Sequence, residues 1–82
     1  MVNEEINAME HRYKVILEPE DEGGYAVWVP ALPGCVSQGE TFEEAVTNIR
    51  EAIQCYLESC IKHGEPIPDQ SAMPEWTVKV EV

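Results

Sequence analysis

Residues 25–45 read YAVWVPALPGCVSQGETFEEA, and they place two strands, a proline-broken kink and a helix start within one short span. Positions 25–29 are apolar and rich in β-forming side chains, so they predict a strand. Pro30 and Pro33 then remove two backbone donors, and Gly34 supplies a flexible position, so the chain must leave the ladder and turn. Positions 36–40 are long enough only for a short return strand. Thr41 stands three residues before Glu44, the T-x-x-E spacing in which each side chain can satisfy an amide at a helix start. The span specifies a scaffold and puts no catalytic group in an obvious role.

Working outward, residues 12–18 predict a first strand, with Tyr13, Val15 and Leu17 on one face and Lys14, Ile16 and Glu18 on the other. The segment PEDEGG at 19–24 predicts a hairpin loop, kept wet by its carboxylates and bent by its glycines. A long helix follows over about 42–63. Phe42, Ala45, Val46, Ile49, Ala52, Ile53, Tyr56, Leu57 and Cys60 recur at three- and four-residue spacing and form one broad apolar stripe. Gly64 suits the position after the cap, and Pro66 forbids continuation. Residues 65–75 read as a proline-rich loop, and WTVKVEV at 76–82 alternates as a half-buried strand should. Residues 1–11 carry no pattern and predict a mobile tail, within which Met9 offers an alternative start. The fold class is therefore α+β, in the order β-β-β-α-β. A small, mostly antiparallel sheet carries one helix on one face of a single domain over 12–82.

The second strand is apolar on both sides: Tyr25, Val27 and Val29 alternate with Ala26 and Trp28. Only one set can lie beneath the helix, and Ile16 adds to the other face. A contiguous apolar patch on so small a domain points to an interface, so Ile16, Tyr25, Val27, Trp28 and Val29 are the candidate self-association residues, in a dimer or higher oligomer. The competing expectation is that the loop at 65–75 folds across this face.

Charge narrows the function classes. The 82 residues carry 16 acidic and 5 basic side chains, a net charge of -11. Phosphate backbones would repel such a surface, which argues against direct nucleic-acid binding, whereas a basic protein would be drawn to it. The opening residues lack the apolar core of a secretory leader, and no apolar run reaches membrane-spanning length. Three cysteines at no framework spacing fit reduced thiols in a cytoplasm.

The chemistry-bearing residues form no site. A metal-dependent nuclease needs carboxylates gathered at strand ends, and Glu18, Glu51, Glu81 and Asp21 are dispersed acids in an acidic chain. Cys60 and His63 stand three apart on the helix, but Cys55 lies well round it from them, so no metal ligand set or cofactor is expected. Cys35 would need a base beside it to act as a nucleophile, and a partly buried structural thiol is the expectation. No enzyme activity is expected.

The pieces YKVILE at 13–18, GGY at 23–25, PALPGC at 30–35, QGET at 38–41 and EEA at 43–45 occur in an order and spacing that resembles the HicB-type antitoxin family. That resemblance implies a truncated, catalytically inactive version of the ribonuclease-H fold. It also implies a partner, a small basic RNA-cleaving toxin of the HicA type, which this module neutralises by covering the toxin's active site. Many members carry a DNA-binding segment after this domain, whereas the present sequence stops at Val82, so repression is not expected of it. The contact residues the resemblance implies are Glu20, Asp21 and Glu22 in the hairpin loop, with Gln38 and Glu40. The alternatives are a solitary domain of the same fold, acting as a subunit or small-ligand binder without a toxin partner, and, more remotely, a residual nuclease.

Overall fold

A computed structural model of the chain describes residues 10–69 and 76–82. Three antiparallel strands, β1 (Ile16–Pro19), β2 (Tyr25–Trp28) and β3 (Val36–Gly39), form a sheet in the order β1-β2-β3, and helix α1 (Phe42–Lys62) follows. The α+β class, the antiparallel meander and the single long helix are as expected. The tail over 1–9 and the part of the proline-rich loop over 70–75 lie outside the described residues.

β1 is shorter than the strand expected over 12–18. Its ladder with β2 begins at Ile16↔Trp28, and beyond Trp28 the opposite chain turns away. The Val29 N–H bonds the Cys35 carbonyl at 3.1 Å, closing the kink. The next residue, Pro30, has no N–H to offer, so the β1–β2 ladder ends at this rung and β1 starts only at Ile16. The kink is itself core. Leu32 donates to Val29 and Cys35 to Leu32, both at 3.0 Å, so the turn satisfies its own polar groups. That allows Leu32 to be fully buried and Ala31 and Cys35 nearly so.

The helix packs chiefly over β3 and next over β2. It comes close because position 39 is glycine: a Cβ there would lie 2.4 Å from the backbone nitrogen of Ala45. The core that results joins Val27, Val29, Leu32, Cys35, Ala45 and Ile49, with Tyr13, Val15, Leu17, Tyr25, Ala52, Ile53, Tyr56 and Leu57 packed around it. Both helix ends are written in the sequence. The Thr41 side chain accepts from the Glu44 N–H at 3.0 Å. At the other end Gly64, at φ +67°, lets its own N–H reach Ile61 and the Glu65 N–H reach Cys60, a Schellman closure.

Two expectations need correction. Residues 76–82 form no strand: they have no regular secondary structure, and Trp76, Val78 and Val80 are 90%, 72% and 75% exposed. Alternation encodes a strand's two faces but supplies no partner backbone, and α1 delivers this segment to no edge of its own sheet. The second correction concerns β2. Val27 and Val29 are 1% and 2% exposed beneath α1, so they leave the self-association set. Tyr25 lies on the same side, half-buried and edge-on to Phe42 with ring centroids 6.1 Å apart.

Candidate functional site

The loop between β1 and β2, the end of β3 and the first turns of α1 together line an open groove of about 510 Å³. Its lining residues include Glu20, Glu22, Gln38, Glu40, Glu44 and Asn48. Each has a local reason for its place. Reciprocal backbone bonds, Glu20 N–H to Gly24 at 3.0 Å and Gly23 N–H to Glu20 at 2.9 Å, close the hairpin loop and hold Glu20 and Glu22 beside β3. At the helix start, the Glu44 carboxylate accepts from the Glu40 N–H. That is one residue earlier than the usual reciprocal cap, and it ties Glu40 to α1. One turn on, Asn48 Nδ2 donates to the Gln38 carbonyl at 2.7 Å and pins the end of β3 to the helix.

The result is an acidic concavity. Four carboxylates converge on it and no basic side chain lines it. Like charges gathered along one concavity concentrate a negative field, and the positive end of the helix macrodipole beneath Glu43 and Glu44 offsets part of their repulsion. Among the sequence-derived contact candidates, Glu20, Glu22, Gln38 and Glu40 are brought together here, while Asp21 sits exposed at the loop and does not line the groove. The sequence marked Glu44 only as a helix-capping residue, not as a contact candidate, and did not single out Asn48. Their four-residue spacing, which puts both on one helix face next to a capping position, is the signal that could have found them.

On the sheet face away from the helix, the register aligns Ile16, Trp28 and Val36 across the three strands. Ile16 is 40% and Val36 64% exposed. The next rung is Glu18, Ala26 and Gln38, so the apolar surface expected on this face is a single row.

The reactive residue types assemble nothing further. Among the described residues no three His, Cys, Asp or Glu side chains are grouped closely enough to hold a metal ion. Cys55 is exposed, Cys60 is buried, and His63 Nδ1 lies 2.9 Å from the Ser59 carbonyl. Burial raises the pKa of Cys35, which favours the neutral thiol and is the reverse of what a nucleophile needs. No helix among the described residues is long and apolar enough to cross a membrane.

The described residues thus form a sheet meander capped by one helix, with an acidic groove beside the helix start. The family model described as HicB_like antitoxin of bacterial toxin-antitoxin system matches residues 13–82, and the chain belongs to that family. A UPF0150 protein of Thermoplasma acidophilum is 52% identical over 61 residues, which cover 74% of this chain and 88% of that one. Antitoxin HicB 1 of Photorhabdus laumondii is 42% identical over 57 residues, 70% of this chain but only 37% of the longer relative. The crystal structure of the N-terminal domain of Burkholderia pseudomallei antitoxin HicB superposes with a TM-score of 0.61 at 35% identity, covering 80% of this chain and 69% of that one. The family is one of antitoxins, binding modules of toxin-antitoxin systems rather than enzymes.

Proposed function

We propose that the chain neutralises a small, basic, RNA-cleaving toxin of the HicA type by covering its active site, with the groove of Glu20, Glu22, Gln38, Glu40 and Glu44 as the contact surface. The single observation behind this reading is that four glutamates from three separate elements line one concavity. A ribonuclease must present positive charge to bind its substrate's phosphates, and an anionic surface competes for that charge without needing to mimic RNA in detail. The same net charge of -11 disfavours binding of RNA or DNA by the chain itself. Self-association belongs to the same reading, because a domain of this size leaves apolar residues such as Ile16, Val36 and Trp76 at its surface. Its setting in this reading is the cytoplasm, where the toxin's message substrates are.

The test is to co-express the chain with a toxin of this type, purify the complex, and measure RNA cleavage by the toxin with and without the chain. Cleavage suppressed at stoichiometric amounts supports the reading. Undiminished cleavage in the presence of excess folded chain refutes it and leaves the solitary domain as the better account.

A further inference from the structure

Among the described residues β3 is the last strand on its side of the sheet, so one row of its backbone groups faces away from β2. The register shows which row. The Val29 N–H bonds the Cys35 carbonyl, and the same antiparallel alternation makes Val27↔Ser37 and Tyr25↔Gly39 the hydrogen-bonded pairs. Val36 and Gln38 stand between those pairs and turn their N–H and carbonyl groups outward, as the next alternate residue, Glu40, turns its N–H. Outward groups of this kind are a template on which a strand from another molecule can pair.

Two helix side chains already hold them. Asn48 Nδ2 donates to the Gln38 carbonyl at 2.7 Å, and the Glu44 carboxylate accepts from the Glu40 N–H. Gln38 and Glu40 would be successive rungs for an incoming strand, and each has lost one of the groups such a strand would use. The Val36 end alone is shorter than the roughly three residues at which strands begin. The placement follows from the sequence. A four-residue spacing puts Glu44 and Asn48 on one side of α1. Gly39 lets that side come down onto β3, since a Cβ there would lie 2.4 Å from the Ala45 nitrogen. Helix propensity gives no reason for an asparagine in the second turn of α1. Its bond to β3 does.

We propose that Glu44 and Asn48 guard the free edge of β3, closing it to strand addition by another molecule. Any partner at this end of the domain then makes contact through side chains, because the backbone beside the acidic groove is already bonded. The guard acts in the same way in a solitary domain, so it does not depend on the toxin reading.

Amide hydrogen exchange, read residue by residue on the full chain, tests the proposal. In the wild type the Val36 and Gln38 amides should exchange fast, at rates independent of protein concentration. In Glu44→Ala with Asn48→Ala, folded by circular dichroism, both amides should slow by about tenfold as the concentration rises, because the carbonyls of an added strand then bond them. If the two side chains only brace the helix, their loss speeds exchange in β2 and leaves Val36 and Gln38 fast at every concentration. That result overturns the guard. Concentration-dependent protection of the same two amides in the wild type overturns it as well, since the edge would then be open with both side chains in place. Should the double variant fail to fold, Asn48→Ala alone decides by the same readout, because it leaves the Thr41 cap on the Glu44 N–H intact.

Discussion

Gly39 is where a single residue decides how close the helix lies. Its Cβ position is occupied by backbone of Glu44 and Ala45, which cannot rotate aside. Gly39→Ala must therefore lift the N-terminal turn of α1 and disturb both the cap and the acidic groove. Overpacking of this kind costs about 1–3 kcal/mol, and urea unfolding of the variant should show a correspondingly lower midpoint. The sequence placed Gly39 only within a return strand over 36–40, since nothing local reveals that a helix starting three residues later will fold back onto it. Burial also raises the pKa of the Cys35 thiol above 9.0 and, together with nearby Asp69, that of the Tyr13 hydroxyl above 10.0. Both groups are held neutral in the fold, so the unfolded chain loses these protons first. Their contribution to stability is complete below the unfolded values and is lost as the pH rises through the folded ones. Denaturation midpoints should accordingly fall above about pH 9, and Cys35→Ala should remove the earlier part of that fall. Thiol labelling at neutral pH should find Cys55 fast and Cys35 and Cys60 slow until the chain unfolds.

At the scale of the element, the helix was the most legible part, because both of its ends and its buried stripe are local signals. Thr41→Ala removes the acceptor for the Glu44 N–H and should cost about 1 kcal/mol. Ile49→Ala, at a position 2% exposed, should cost about 2–5 kcal/mol. An 82-residue domain has roughly 4–12 kcal/mol in total, so thermal melts should show Thr41→Ala folded at 37 °C and Ile49→Ala near its limit. The strands were less legible. The doubly apolar β2 announced two candidate faces, but choosing between them required knowing which side α1 takes, and the answer buried Val27 and Val29. The alternation at 76–82 is as regular as any in the chain, yet a strand is defined by its neighbour's backbone, which periodicity cannot supply. The kink at 30–35 was read as an interruption of the sheet. That Leu32 plugs the core through it depends on the turn bonding to itself, a fact of three-dimensional closure.

At the scale of the whole molecule, the balance of charge was plain in the composition, but its arrangement was not. Loop acids and strand-end acids lie some twenty residues apart in sequence and meet only because the hairpin loop folds beside the end of β3. Glu20, Glu22 and Glu40 are exposed, so their replacement should leave folding nearly unchanged. If the groove receives a basic toxin, it acts before contact as well as after it, because converging carboxylates steer an oppositely charged partner from a distance. Replacing Glu20, Glu22 and Glu40 together with Gln should therefore slow association by roughly tenfold at low salt, within the 10–10³-fold range that steering supplies. The same change should flatten the dependence of the association rate on ionic strength, since screening acts over about 10 Å at 0.1 M salt and has less charge left to screen. Asp21→Asn, outside the groove but in the same loop, serves as the comparison and should alter the rate much less. Stopped-flow association at two salt concentrations, with circular dichroism to verify folding, separates the cases. A triple variant that associates at the wild-type rate and with the wild-type salt slope would move the docking surface away from this groove, to the row of Ile16, Trp28 and Val36 on the sheet's open face.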